Sequence, residues 1–224
     1  MGAVRVPQIY LENHVSSFLQ YILDNNASTI LLIICSKRDE FLRRLLATVY
    51  TQSNESANSR QLVTKTLGLL SKSSRTQVAF CPTLEHLRAY LSVLQFNNAA
   101  EQETNAPEDQ QLCRPLMAIL DPLALHLSTS EFAAQGLSRT LAAAVETSSR
   151  EAVDLVICEC QDVARPEDSG EALWNAHVPL LNSSVRTGRD ESTWGGQSVP
   201  VKRIAQRWFV FSDPRISTTN NPEV

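Results

Sequence analysis

The chain has 224 residues, a formal net charge of −4 and a sequence pI of about 5.6, with 43% hydrophobic and 20% charged residues. That balance suits one domain with a buried core and excludes wholesale disorder. The global charge gives no sign of nucleic-acid binding, although local basic patches stay open. The longest apolar run, 30–35, is strand-sized, far short of the ~18–20 residues that a membrane helix needs, so no membrane association is expected. The first residues, MGAVRVPQIYLENH, lack the apolar block of a secretory signal. Gly2 fits the start of a myristoylation motif, but Val6 stands where Ser or Thr is expected. The expected location is nuclear or cytoplasmic.

In chain order, residues 11–23 predict a helix, with Leu11, Val15, Phe18, Leu19, Ile22 and Leu23 on one stripe and Asn25-Asn26 as a left-handed stop. Residues 29–35, TILLIIC, are apolar on both faces and predict a central strand. Ser36 then caps a helix, with Asp39 in a variant capping box. Phe41, Leu42, Leu45, Leu46 and Val49 form its buried face, and Lys37, Arg38, Arg43 and Arg44 its outer side. Residues 51–60 read as a polar loop, and 62–70 fit strand or helix equally. A short strand at 77–81 leads through Pro82-Thr83 into a helix carrying Leu84, Leu87, Leu91 and Leu94.

Residues 95–111 are polar and acidic and read as a disordered insertion rather than a linker between domains. Strands follow at 116–120 and 153–160, separated by a long helix capped by Ser130 and running from Glu131 to about Ser148. Beyond them, 178–182 and 199–211 predict strands around Gly195-Gly196, paired antiparallel because no helix separates them. The expectation is a single α/β domain over 1–211, a mostly parallel sheet sandwiched by helices with C-terminal antiparallel strands at one edge, and a flexible tail over 212–224.

In open α/β sheets ligands bind beyond the carboxyl ends of the strands. Those ends present Cys35-Ser36, Cys81-Pro82, Asp121-Pro122 and Gln161-Asp162. An acid after an apolar strand, as Asp121 is, holds Mg²⁺ in P-loop ATPases; before proline it also serves as a plain turn residue. A P-loop requires GxxxxGK[ST], yet no Gly-Lys pair occurs, and the turn after 29–35 reads SKRDEF. Seven glycines, about 3% of the chain against a typical ~7%, leave few for cradling phosphate. No GxSxG elbow occurs either. Cys35 or Ser36 with His86 or His126 would be a nucleophile–base pair only if the fold joined them.

The five cysteines are most simply buried small hydrophobes. Cys158 and Cys160 face the same way on a strand, and with His177 they invite a metal reading, against which stands the absence of a four-ligand pattern. Neither zinc nor any cofactor is expected. Cations cluster at Lys37/Arg38/Arg43/Arg44, at Lys65/Lys72/Arg75, and at Lys202/Arg203/Arg207 beside Trp208 and Phe209. The last group combines charge with aromatics, as single-strand binding sites do, or forms a solvated edge strand.

The order of elements resembles a RecA-like core. An apolar strand ends in Asp121, a long helix follows, and the next strand, LVICECQ, ends in Gln161, much as RecA-like strands end in a glutamine before a DNA-facing loop. Trp174, HVPLLN and VPVKRIAQRWFVF are similar to the terminal antiparallel strands of that fold. The resemblance spans 29–211, with 29–35 matching either the strand before the P-loop or the one after it. It extends to recombinase paralogues of the Shu-complex type, ATPase-like partners of SWIM-domain proteins, and Elongator's RecA-like subunits.

It implies a non-catalytic subunit of a hetero-oligomer, supporting homologous recombination, whose partner is another RecA-like or SWIM-domain subunit. Asp121, Gln161 and Ser36 would mark the nucleotide edge, and Lys202, Arg203 and Arg207 would touch DNA or the partner. The alternatives are an enzyme using Cys35, Ser36 or Asp121, and a structural adaptor of Elongator type.

Overall fold

Two runs that are apolar at every position, Ile30–Ile34 and Leu116–Leu120, have no polar face to offer water, and all ten residues are buried. They are the centre of the sheet in the computed structural model, which describes residues 6–55, 72–96, 113–162, 167, 169–180 and 198–212. In chain order the strands are β1 (Gln8–Tyr10), β2 (Ile30–Ile34), β3 (Thr76–Phe80), β4 (Leu116–Leu120), β5 (Asp154–Cys158), β6 (His177–Pro179), β7 (Ser198–Pro200) and β8 (Val210–Ser212). The helices are α1 (Val15–Asp24), α2 (Arg38–Glu55), α3 (Leu84–Val93), α4 (Ala134–Arg150), α5 (Glu171–Asn175) and α6 (Val201–Ala205). Six strands form one sheet in the order β3-β2-β4-β5-β1-β8, parallel throughout, and β6 and β7 form a separate antiparallel ribbon.

Strand alternation splits β2 between two cores. Ile30, Leu32 and Ile34 face α1 and α2, together with Val15, Phe18, Ile22 and Phe41. Leu31, Ile33 and Cys35 face the opposite layer, with Leu87 and Leu91 of α3, Leu137 and Leu141 of α4, and Val201 of α6. The expected α/β sandwich is therefore the observed one. No helix among the described residues is long and apolar enough to cross a membrane.

Several local expectations are corrected. Residues 8–10 are a strand, because Gln8 and Ile9 complete the ladder between β5 and β8; three residues are too few to show a period. Leu11 still donates to Ser212 O (3.0 Å), so α1 starts at Val15, not at 11. Asn25 does end α1, but extended (φ −68°); its side chain accepts from Ala27 N (2.9 Å) in place of a left-handed cap. Ser36 does not cap α2, which begins at Arg38; its hydroxyl makes only a 3.5 Å contact to Lys37 O. That helix continues through Glu55, so 51–55 is not loop. Leu42 and Leu46 are exposed, not buried, while Arg44 turns inward.

Nor does Ser130 cap the long helix. α4 begins at Ala134, after a run of turns in which Ala133 N bonds Glu131 O (2.8 Å). The largest departure is at 199–211. β6 and β7 do pair antiparallel, but β7 ends at Pro200, which faces His177 and is the N-cap of α6, on which Val201, Ile204 and Ala205 share one buried side. The chain then returns as β8, parallel to β1. Phe96 packs on the core with its amide bonded to Glu151 (2.9 Å), so it is not part of a disordered segment, and Ser212 belongs to β8. The remainder of 95–111 and of the tail, the 62–70 segment, Lys65 and Gly195-Gly196 lie outside the described residues.

Two positions invert the usual helix rules. A Cβ on Gly136, within α4, would meet Glu131 O at 2.2 Å. Ala152 has φ +54° just past the same helix, where Val153 N bonds Ser148 O (2.9 Å) and Ala152 N bonds Ser149 O (3.3 Å), a Schellman end that favours glycine. Gly136→Ala should therefore destabilise by roughly 1–3 kcal/mol despite better helix propensity, and Ala152→Gly should stabilise by roughly 1 kcal/mol. Urea unfolding of the two variants checks both signs.

Candidate functional site

The helices after β2 and β4 lie on opposite faces, α2 on one and α4 on the other, which opens a topological switch point between these neighbouring strands. Cys35 follows β2 and Asp121 follows β4; Cys35 N donates to Leu120 O (3.0 Å) and Asp121 N to Cys158 O (2.8 Å), which brings the three carboxyl ends together. Asp121 is 2% exposed and sits at φ +58°, a conformation costly for a residue with a Cβ. Both its oxygens are used. Oδ1 accepts from Cys160 N (2.7 Å) and Oδ2 from Arg44 Nη1 (2.7 Å).

Arg44 is a finding that the sequence reading missed. Three residues after Phe41 and four before Thr48, both buried, it lies on the inner stripe of α2, and that spacing was the available signal. Its Nη2 also reaches Cys160 O (3.4 Å), so one guanidinium joins α2 to the ends of β4 and β5. Burial opposes its charge, but Asp121 outweighs that and raises its pKa.

Glu159, also missed, is 2% exposed. Its Oε1 accepts from the amide of Leu123, while Oε2 has no partner among the described residues. Burial, and then the charge of Asp121, push its pKa well above the usual carboxylate value. Burial also lifts Asp121, against the opposing pull of Arg44 and the Cys160 amide.

The candidate nucleophiles are inert here. Cys35 is buried, and burial followed by Glu159 drives its thiol pKa well up, away from the reactive thiolate. Ser36 is buried, and among the described residues its hydroxyl has the Lys37 carbonyl as its hydrogen-bond partner. His86 is exposed on α3. His126 is turned to the opposite layer: its Nδ1–H donates to the Glu131 carbonyl (3.1 Å) and its Nε2 accepts from the Thr140 hydroxyl (3.1 Å), which in turn accepts from Arg88 Nε (3.1 Å). Arg88 also pairs with Glu131 (2.8 Å).

Cys158 and Cys160 are buried with their sulfurs 3.6 Å apart, whereas His177 is exposed on β6 beside Ser198. Among the described residues no three His, Cys, Asp or Glu side chains are grouped to hold a metal ion.

Gln161 follows β5 at the same edge, exposed, with its amide on Asn13 O (2.8 Å). That bond places the β1–α1 turn, Leu11 to His14, beside the site. In this turn Glu12 Oε1 accepts from the amides of Asn13 (2.8 Å) and His14 (3.1 Å) at the start of α1. Lys202, Arg203 and Arg207 are elsewhere. They are on α6 and the turn after it, which leads into the amino end of β8, where Val210 N meets Pro7 O (3.0 Å). Lys202 lies over the Phe211 ring (5.1 Å to its centroid) and Arg207 over Trp208 (5.4 Å), while Arg203 is exposed. The strand alternation expected for these cations is thus replaced by a helical arrangement.

Fold and site together define a parallel α/β protein whose carboxyl-edge crevice is occupied by its own ion pair. A family profile described as SPAC22G7.03-like matches residues 5–211, and the chain belongs to that family. Comparison with curated proteins gives no match.

Removing one partner of a buried pair strands the other. Arg44→Met should destabilise by about 3–5 kcal/mol, and Arg44→Met with Asp121→Leu should cost clearly less than the two single changes added together. Urea unfolding of the four proteins measures the coupling; additivity within ~0.5 kcal/mol would show that the pair is not coupled.

His126 makes a pH prediction. Burial lowers its pKa from 6.5 to about 4. Between those values the unfolded chain takes up a proton that the folded one refuses, so stability falls as pH drops through this window. Glu159 has the opposite sign, since its raised folded pKa removes stability as pH rises through it. The difference between wild type and His126→Gln isolates the histidine, and it should shrink by about 2 kcal/mol between pH 7 and pH 5. Denaturant titrations at the two pH values measure it.

Proposed function

We propose that this protein is a non-catalytic subunit of a hetero-oligomeric complex, built on a RecA-like core that no longer uses nucleotide, and that it supports homologous recombination in the nucleus. The observation that carries the reading is the Arg44–Asp121 pair. Asp121 follows an apolar strand, where P-loop ATPases place the acid that holds Mg²⁺. Here its charge is met at 2.7 Å by a cation from the chain itself.

The β1–α1 turn supports the same reading. A phosphate-binding loop follows a strand, opens a helix and turns its amides toward the anion. In this chain the turn is Leu11-Glu12-Asn13-His14, without glycine or lysine, and two of its amides already bond a carboxylate. Within this reading Ser36, Asp121 and Gln161 are the remnant of the nucleotide edge. Lys202, Arg203 and Arg207 are the contacts to DNA or to a second RecA-like or SWIM-domain subunit, and their exposed or half-buried cations over Trp208 and Phe211 suit that role.

Calorimetric titration with Mg-ATP tests the carrying observation. No heat of binding is expected. Low-micromolar affinity that disappears in Asp121→Ala would overturn the proposal. Fluorescence anisotropy with single-stranded and duplex DNA, on the complex purified from its native host, tests the rest. Binding should weaken as salt rises and weaken further when Lys202 and Arg203 are both changed to Glu; binding insensitive to both changes removes the DNA contact and leaves a protein adaptor.

A further inference from the structure

We infer that this chain forms a two-fold symmetric homodimer in which β3 pairs antiparallel with β3 of a second copy and the two α2 helices pack side by side above the joint. The inference rests on the sheet edge and one helix flank, and is independent of the nucleotide reading.

β3 is an edge strand with β2 on one side only. Ile30 N donates to Arg75 O (2.9 Å) and Cys81 N to Ile34 O (2.8 Å), so the odd-numbered residues of this stretch turn their backbone groups toward β2. Alternation turns those of Thr76, Val78 and Phe80 outward, and among the described residues they meet no hydrogen-bond partner there. Soluble proteins guard such an edge with lysine, proline or a bulge. TQVAF has no charge and no proline, and it runs in unbroken register with β2 over all five residues. Val78 is 51% exposed.

α2 supplies the second observation. Val78 pairs with Leu32, so its side chain lies on the α1–α2 face, and Phe41 of α2 meets Phe80 edge-on (6.1 Å between centroids). At about 100° per residue, Arg44 leans from α2 toward β4, and Leu42 and Leu46 point the opposite way, toward the free edge. These two leucines are 41% and 56% exposed.

One operation covers both features. A two-fold axis perpendicular to the sheet through Val78 sets Val78 opposite its copy, Gln77 opposite Ala79 and Thr76 opposite Phe80, with no like charges facing. Every outward amide and carbonyl of Thr76, Val78 and Phe80 then finds a partner. The same axis keeps both α2 helices on one face. Phe41 against Phe80 holds α2 over the β3 side of the sheet, so the axis brings the two helices toward each other on that face. Leu42 and Leu46 of the two copies then meet across the axis. A second copy is the occupant because this edge and this flank are complementary to themselves.

Sedimentation equilibrium of the full chain at tens of micromolar should give twice the 24.9 kDa chain mass. Val78→Lys, or Leu46→Glu should the first variant fold poorly, should weaken dimerisation on the order of 100-fold while leaving the far-UV spectrum unchanged, because each buries unpaired charge at the joint. In a Cys113→Ser background, Val78→Cys should be joined into a covalent dimer by a short bis-maleimide, and Val93→Cys, on α3, should not. A monomeric wild type, including one that instead takes up an extended segment of another protein on this edge, overturns the inference. So does a dimer that withstands both charge changes or fails to crosslink through position 78.

Discussion

The contact between Arg44 and Asp121 is where the two halves of this molecule are fastened. It joins a helix of one layer to the ends of two central strands, and it does so with full charges in a place nearly without water. Such a pair gains little net stability, since desolvating both ions offsets most of their attraction. Its effect is to dictate what else the crevice can hold. Burial and the neighbouring charge of Asp121 raise the pKa of Glu159, and burial with the charge of Glu159 raises that of the Cys35 thiol. The positive φ of Asp121 belongs to the same arrangement, since it aims one oxygen at the Cys160 amide and the other at the guanidinium.

The opposite layer is held by a different device. Arg88 of α3 reaches Thr140 and the Gly136 carbonyl in α4 and Glu131 in the turn before it, and His126 closes the network from the loop after β4. Arg150 of α4 adds a second crossing in this layer, to the Leu91 and Leu94 carbonyls at the end of α3. The close approach at Gly136 follows, because the turn carrying Glu131 must lie against α4 for Arg88 to bind both.

The sheet was legible wherever a strand is buried on both faces. β2 and β4 announce themselves as unbroken apolar runs, β5 as one that follows Asp154, and α3 by Thr83, which caps it as its chemistry demands. Legibility failed where the deciding contact is distant in sequence. Gln8–Tyr10 is a strand only because β5 and β8 flank it. Val201–Ala205 reads as part of a longer apolar stretch, although Val201, Ile204 and Ala205 have helical spacing and Pro200 precedes them. Of the site, Asp121, Ser36 and Gln161 could be placed at the strand ends from order alone. Arg44 was legible only through its spacing between Phe41 and Thr48, and Glu159 not at all, because a charged residue beside a helix or strand is ordinarily solvated.

The position of β1 has a consequence for how the chain acquires its shape. It is the first strand made, yet its neighbours in the sheet begin at residues 154 and 210. β2, β3 and β4 can assemble with α2 and α3 from nearby sequence, whereas β1 must wait for partners that are synthesised last. Closing loops of that length raises the folding barrier and slows the final docking. During translation the apolar side of α1, with Phe18 and Ile22, therefore emerges long before β5 exists to complete its cover. Until residues 154–212 have been made, a nascent chain carries an unsatisfied strand and an uncovered helix, the condition in which chaperones find their substrates.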